Sequence, residues 1–143
     1  MEIVKLKNDI SLIHNNGKIV KDDAIPVSHK FTDQIYLREM KMKAGQIVMG
    51  MIHNYDHAWF LMNGTVSIKT LDQPTINDKD VEITKHRAPY YKTSKAGEQR
   101  VIYAHTDCVF VTIHKNPDNI KNIKKLENIL ASFNYEEFKF KTS

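Results

Sequence analysis

The sequence contains one cysteine and no long apolar run. A single thiol cannot form an internal disulfide, and Cys108 lies in a strand-like stretch, so we expect a small core residue rather than a nucleophile. No apolar segment approaches the roughly 20 residues that a membrane-spanning helix needs. The first residues, MEIVKLK, lack the pattern of a secretory signal. Together these absences predict a soluble, intracellular protein.

Familiar catalytic and nucleotide-binding patterns are also missing. The chain has no specific Ser/His/Asp or Cys/His arrangement, no glycine-rich phosphate loop and no paired carboxylates of catalytic type. A formal charge of +4 and a pI near 9.1 would suit a polyanion, but the lysines are scattered and a solvated helix face explains the densest group. The sequence thus gives no positive sign of enzymatic activity and predicts neither a nucleic-acid partner nor a membrane partner.

What remains is an ordinary globular composition of 41% apolar and 27% charged residues in 143. Many short strand-like runs alternate with turn signals, which predicts an all-β, antiparallel jelly-roll sandwich or barrel. We expect residues 1–34 to form N-terminal strands and a loop that pack on the barrel, including a loop that ends at Asp33. Residues 35–116 would form the barrel, and residues 117–143 one C-terminal helix and a tail.

The most informative stretch runs from residue 45 to residue 64. Two apolar runs flank a short polar segment that contains His53 and His57, which we interpret as a hairpin opening onto a cavity. Two imidazoles can hold a divalent metal, but they need a third protein ligand and water. His114, at the end of the last strand, is the candidate third ligand. The alternative is that these histidines are ordinary polar residues that form local hydrogen bonds.

Helical periodicity appears only after the last strand. Asn116 can cap a helix and Pro117 suits its first position. The tail from residue 134 to residue 143 is aromatic and is a candidate arm for contacts with a neighbouring subunit. An apolar stripe with lysines opposite it predicts one amphipathic helix, and its members are Ile120, Ile123, Leu126, Leu130 and Phe133.

The spacing around the polar segment resembles the first motif of the cupin (double-stranded β-helix) family. Gly64 stands seven residues after His57, which places His57 at the family's acidic ligand position. His53 then matches the second histidine of that motif, and Met51 stands where the first would be. The resemblance implies a cupin-like barrel. With it comes the expectation of a divalent transition metal, such as zinc, iron, manganese or nickel, at His53, His57 and His114.

The second cupin motif is matched with one substitution. Gly97 lies three residues before Arg100, so an arginine stands at the histidine position. Arg100 would face the cavity and either bind a carboxylate or phosphate or pair with an internal acid such as Glu39. Arg38 either extends along a strand edge or points into the same cavity. The remaining candidate ligand-binding residues are Tyr103 and His105.

A closer match is to small cupin-like proteins encoded by tailed bacteriophages. It covers about residues 35–116 and implies a viral origin without an established activity. The matching segments, in order, are Tyr36-Leu37-Arg38-Glu39, Gly50-Met51-Ile52-His53, His57, Gly64, Ala88-Pro89, Ala96-Gly97 with Arg100, Tyr103-Ala104-His105-Thr106-Asp107, and Thr112-Ile113-His114.

Two functions remain open from the sequence. The first is a non-enzymatic phage protein, a homo-oligomeric binding or virion-associated structural module located in the virion or the host cytoplasm, with other phage structural proteins as candidate partners. The second is a pocket protein, either a metal-dependent enzyme or a protein that sequesters a small molecule or nucleotide signal. Inward-facing apolar residues would largely fill the barrel, which favours the first function; they are Met51, Trp59, Leu61 and Phe110.

Overall fold

The computed structural model describes residues 25–71 and 83–143. The N-terminal hairpin predicted before residue 25 and the loop predicted around residues 73–78 lie outside the described residues. The strands are β1 (Val27–Thr32), β2 (Ile35–Met42), β3 (Ile47–Met49), β4 (Ile52–His53), β5 (His57–Asn63), β6 (Thr65–Leu71), β7 (Ile83–Arg87), β8 (Tyr90–Ser94), β9 (Gln99–Ala104), β10 (Cys108–Lys115) and β11 (Ala131–Ser132), and the helices are α1 (Ile123–Leu130) and α2 (Tyr135–Thr142).

The strands form two antiparallel sheets and one short pair. The larger sheet has the order β1-β2-β10-β5-β8, and the smaller has the order β3-β9-β6-β7. Strands β4 and β11 pair with each other. In the described part of the chain, neither helix is long and apolar enough to cross a membrane. The all-β, antiparallel fold expected from the sequence is confirmed.

The core lies between the two sheets, because inward-facing residues alternate along the strands of both. Along β2, Tyr36, Met40 and Met42 are buried and their neighbours are not. The inner face of β10 is buried, and its outer face is half-buried. One buried cluster joins the sheets, made of Ile25, Met40, Met42, Val48, Trp59, Leu61, Val66, Ile68, Ile102, Ala104, Cys108 and Phe110.

The stretch from residue 45 to residue 64 is not a hairpin, which corrects the sequence prediction. Strand β3 pairs with β9 in the smaller sheet, whereas β5 pairs with β10 and β8 in the larger sheet. The chain therefore crosses between sheets here. The polar residues that interrupt the apolar pattern lie in the segment that connects the two sheets. This connecting segment contains β4.

Two further elements differ from the expectation. The segment predicted as a loop up to Asp33 contains β1, which pairs along its length with β2. The sequence Ala88-Pro89-Tyr90-Tyr91 predicts an interruption between two strands. The interruption is confined to the cis Ala88–Pro89 bond and its turn, because Tyr90 already begins β8. In both places, residues next to a turn signal pair with a neighbouring strand and so belong to the sheet.

The C-terminal region contains two helices rather than one. Asn116 does not cap a helix, because its amide donates to the carbonyl of Ile120 and accepts from the Ile120 N–H, at 2.9 and 3.0 Å. These bonds close a turn and delay the helix. Asn122 caps α1 by accepting from the N–H of Lys125, and Asn134 caps α2. The predicted tail is thus helical.

The apolar face of α1 packs on the barrel. Leu126 and Leu130 are buried against Tyr36 of β2, and the Tyr135 hydroxyl at the start of α2 donates to the carbonyl of Gly97. Phe133, the last member of the predicted stripe, is 78% exposed. The barrel itself therefore covers the buried part of the stripe, and contacts of the C-terminal segment with a neighbouring subunit stay a prediction.

Glycine is required at one turn by both backbone conformation and space. At Gly64 φ is +89°, and an added Cβ would collide with the Asp107 carbonyl oxygen and lie 2.8 Å from the Cys108 Cβ. Gly45 has a similar φ of +86° but no atom within 4 Å of an added Cβ. We expect Gly45→Ala to lower the free energy of unfolding by about 1 kcal/mol and Gly64→Ala by more than about 2 kcal/mol. Chemical denaturation measures both, and equal losses would contradict the steric argument.

Candidate ligand-binding cavity

A cavity of about 120 Å³ lies between the two sheets, beside α1. Its apolar wall includes Met40, Val48, Ile102 and Phe110, and Leu130 of the helix contributes to the same lining. The barrel interior is therefore largely filled, as expected from the sequence, but it retains this one cavity among the described residues that line it. Trp59, Leu61 and Phe110 do occupy the core, whereas Met51 lines the cavity. The polar side chains that line it are Tyr36, Arg38, His53, Arg100, Thr112, His114 and Glu127.

The structure brings together the three histidines that the sequence singled out. His53 lies on β4, His57 begins β5 and His114 lies on β10, and one ring nitrogen from each falls within 4.8 Å of the others. Their rings stack, with centroids 4.0 Å apart for His53 and His57, 4.9 Å for His57 and His114, and 5.7 Å for His53 and His114. Metal binding by this triad stays a prediction.

All three imidazoles are neutral at neutral pH. Burial, followed by the charge of Arg100, lowers the pKa of His57 to about 4 and that of His53 well below its usual value. Burial, the neighbouring His57 and Arg100 lower the pKa of His114 to about 3. Burial also lowers the pKa of Arg100, but only to about 10. Arg100 therefore carries a positive charge among three neutral rings, and Arg38 and Glu127 add one charge of each sign to the cavity lining.

The guanidinium of Arg100 lies among the histidines. It is 5% exposed, and its Nη1 donates to the Ser94 hydroxyl at 2.9 Å. Its Nη2 lies 3.1 Å from Nε2 of His57 and 3.3 Å from Nε2 of His53. A guanidinium can only donate, so both Nε2 atoms accept and both neutral rings carry their proton on Nδ1.

Arg100 does not pair with an acid, which corrects one of the two expectations for it. Glu39 alternates with the cavity residues Arg38 and Met40 along β2, so it lies on the other face of the sheet. Among the residues that the structure describes, no carboxylate makes an ion pair with Arg100. The guanidinium instead lies near the rings of Phe110 and Trp59, 5.8 and 6.0 Å from their centroids, within reach of a cation–π interaction.

Two buried polar atoms of the described residues have no hydrogen-bond partner. They are Nδ1 of His53 and Nε of Arg100. Both are donors, given the protonation that the Arg100 contacts impose. Both belong to side chains that line the cavity. The site thus lacks acceptors rather than donors.

With Arg100 in place, the three imidazoles do not fit a metal ion without a rearrangement. Three imidazoles around zinc, at nitrogen–metal distances of about 2.0–2.1 Å, would bring their nitrogens to about 3.4 Å from one another in a tetrahedral site. Here the nitrogens spread over as much as 4.8 Å. Two of the Nε2 lone pairs that would bind the metal already accept from Arg100, whose charge also opposes a second cation.

The remaining predicted site residues fall into two groups. Of the two placements expected for Arg38, at a strand edge or in the cavity, the structure shows the second. Tyr103 and His105 do not line it: their rings meet edge to face 4.8 Å apart, and His105 contacts the Ser67 hydroxyl at 2.6 Å at the exposed end of the smaller sheet. Their placement does not support ligand binding in the cavity.

Sequence reasoning missed several cavity residues. Tyr36 and Thr112 share the inward faces of β2 and β10 with Arg38 and His114, so strand alternation could have found them. Glu127 could not be found, because its position depends on where α1 begins and on how it docks.

No protein-family model matches this chain, and no curated protein matches it. Solved structures do. A cupin 2 conserved barrel domain protein from Leptotrichia buccalis is similar with a TM-score of 0.52 and 9% identity, over 69% of this chain and 45% of that one. The chain has a cupin-like fold. This confirms the fold that the sequence resemblance implied.

Two other structures show the same likeness. A candidate ethanolamine utilisation protein Q from Salmonella typhimurium has a TM-score of 0.51 and 11% identity, over 66% of this chain and 71% of that one. A protein from Neisseria meningitidis has a TM-score of 0.50 and 10% identity, over 63% and 83%. At these identities the likeness concerns the fold alone, and it does not indicate a bacteriophage origin.

The buried histidines predict a loss of stability in acid. His57 and His114 have pKa values of about 4 and about 3 in the folded chain, against an ordinary value of 6.5. The unfolded chain therefore binds more protons as pH falls below 6.5, so stability is full above that value and declines toward pH 4. Between pH 7 and pH 5 we expect each histidine to lower the free energy of unfolding by about 1–2 kcal/mol.

Urea denaturation at both pH values, with a chelator present, measures this loss. His57→Gln, whose amide can replace the Nε2 acceptor, should remove part of the pH dependence. His105→Gln, at an exposed position outside the cavity, is the matched control. A wild-type protein equally stable at pH 5 and pH 7 would show that the histidines are not held neutral.

Proposed function

We propose that this protein binds a small anionic ligand, with a carboxylate or phosphate group, in its barrel cavity. One observation carries the proposal: the two buried atoms without partners, Nδ1 of His53 and Nε of Arg100, are both donors on cavity-lining side chains. Leaving a buried donor unsatisfied costs about 1–3 kcal/mol. An anionic oxygen would satisfy them with charge-assisted hydrogen bonds, which are stronger than neutral ones.

The charge balance of the cavity supports an anion. Arg100 stays protonated at neutral pH and has no carboxylate partner among the described residues. A buried charge is normally paired, because its desolvation is costly. The three histidines around it are neutral and do not supply the compensating charge. A ligand anion would complete the pair.

The size of the cavity narrows the ligand class. At about 120 Å³ it is smaller than the roughly 300–1,000 Å³ of sites that hold drug-sized molecules. A small metabolite fits this volume better than a nucleotide. Of the two kinds of ligand that the pocket hypothesis left open, the structure therefore favours the small acid.

The proposal is one of binding rather than catalysis. The Nε2 lone pairs of His53 and His57, which would be the basic atoms of the site, already accept from Arg100. A neutral imidazole whose lone pair is occupied is poorly placed to take a proton from a ligand.

Calorimetric titration with acetate and with inorganic phosphate tests the proposal. We expect one of these anions to bind the wild-type chain with a stoichiometry of one, and Arg100→Gln to weaken binding by about 10- to 100-fold, the value of a charged hydrogen bond. Arg87→Gln, on the exposed surface of β7, is the matched control and should bind as the wild type does.

Two outcomes would contradict the proposal. If neither anion binds the wild-type chain, or if Arg87→Gln weakens binding as much as Arg100→Gln does, the cavity is not the anion site. Circular dichroism and the midpoint of urea unfolding verify that each variant is folded. Arg100→Lys, which keeps the charge but loses the planar fork, should bind with intermediate affinity.

A homo-oligomeric module is the second candidate function, and exposed aromatic residues favour it. Phe133, just before α2, and Phe140, within it, are 78% and 84% exposed, and a contiguous exposed apolar patch can mark a contact between chains. The viral origin, the virion or host-cytoplasm location and the other phage structural partners remain predictions from the sequence resemblance.

Light scattering coupled to gel filtration tests this second candidate. We expect the double variant Phe133→Ser/Phe140→Ser to have a lower mass than the wild type, because it removes the exposed aromatic surface without touching the barrel. Tyr91→Ser, an equally exposed aromatic on β8, should leave the mass unchanged. A wild-type monomer would refute assembly through this segment.

A further inference from the structure

The position of the Arg100 guanidinium has a consequence for metal ions. Its Nη2 is shared between the Nε2 atoms of His53 and His57, at 3.3 and 3.1 Å. These two atoms, with a ring nitrogen of His114 nearby, are the set that would ligate a cation. A protein cation therefore takes the place that a metal would need.

Two physical effects prevent a metal ion from binding while the Arg100 guanidinium contacts these imidazoles. A lone pair that accepts a hydrogen bond from the guanidinium is not available to a metal, so two of three ligands are blocked. The guanidinium carries a positive charge at neutral pH, and in this buried setting the repulsion of a divalent cation is weakly screened.

The guanidinium is also held in place by contacts outside the histidines. Its Nη1 donates to the hydroxyl of Ser94, a residue 2% exposed at the end of β8. Its Cζ lies 5.8 Å from the ring centroid of Phe110 and 6.0 Å from that of Trp59. A metal would have to break these contacts as well as those to the imidazoles.

We propose that Arg100 is an internal cation that fills the His53, His57 and His114 site and excludes divalent transition metals from it. The same three imidazoles become a metal site when the guanidinium is removed. Each imidazole then offers one ring nitrogen, and these nitrogens lie within 4.8 Å of one another. Zinc and cobalt(II) are the chemical class of ion that imidazole ligands of this number suit.

Cobalt(II) titration followed by visible absorption tests the inference, because a bound tetrahedral ion gives a spectroscopic signature without any assay of activity. The wild-type chain should show no such spectrum. Arg100→Leu, which removes the guanidinium and adds no ligand atom, should bind one ion at least 100-fold more tightly, equivalent to about 2.7 kcal/mol. Arg87→Gln is the matched control and should behave as the wild type does.

Two further variants keep the result decisive. Arg100→Gln retains a polar side chain in case the leucine variant fails to fold, and it should also bind cobalt. Arg100→Leu/His57→Ala should lose that binding, which assigns the ion to the three histidines. A wild-type chain that binds cobalt stoichiometrically and as tightly as Arg100→Leu would overturn the inference. Folded arginine variants that bind no cobalt would overturn it as well.

The test does not depend on the proposed anion ligand. It uses the metal alone, in a buffer free of carboxylate and phosphate, and its readout is absorption rather than calorimetry of an anion. Failure of anion binding would leave the cobalt result unchanged. Failure of the cobalt result would likewise leave the hydrogen-bonding argument for the anion in place.

Discussion

The contact between the Arg100 guanidinium and two buried imidazoles determines most properties of the cavity. A guanidinium has donors and no acceptor, so His53 and His57 must face it as neutral acceptors through Nε2. That requirement fixes their tautomers and agrees with the lowered pKa values of both rings. It also leaves Nδ1 of His53 as a donor without a partner. One interaction thus sets the charge, the tautomers and the unsatisfied hydrogen-bonding capacity of the site.

That contact depends on the way the barrel brings distant segments together. The histidines come from β4, β5 and β10, the arginine from β9 and its serine partner from β8. The sheet crossing between β3 and β5 is what allows His53 and His57, four residues apart, to stack at 4.0 Å while belonging to different strands. Helix α1 then adds Glu127 and Leu130 to the cavity lining. Burial by these elements keeps the guanidinium away from water, which strengthens each of its polar contacts.

The sequence predicted the parts of this structure that depend on local periodicity. The alternation of strand-like runs with turn signals predicted the antiparallel barrel, and the resemblance to the cupin motifs implied its cupin-like form and a site at His53, His57 and His114. It failed where a choice depends on tertiary partners. The apolar runs on either side of the polar segment predict a hairpin because each is strand-like. No local feature of the sequence shows that the two strands belong to different sheets. Likewise, an asparagine such as Asn116 is a common helix cap. Only the fold shows that its side chain instead forms hydrogen bonds with the backbone of Ile120 and closes a turn.

An arginine at the centre of a three-imidazole cluster changes what the cavity can recognise. A metal ion would contribute charge only when loaded, whereas the charge of Arg100 is a permanent part of the chain at neutral pH. A metal also binds an anion by direct coordination, while a guanidinium binds it through directional hydrogen bonds from a planar fork. Arg100 and His53 would supply these hydrogen bonds from two separate directions, since the Nδ1–H of His53 points away from the guanidinium that its Nε2 faces. If the cavity binds an anion as proposed, the residue that suits it to an anion rather than a cation is Arg100, which stands where the cupin motif has a histidine.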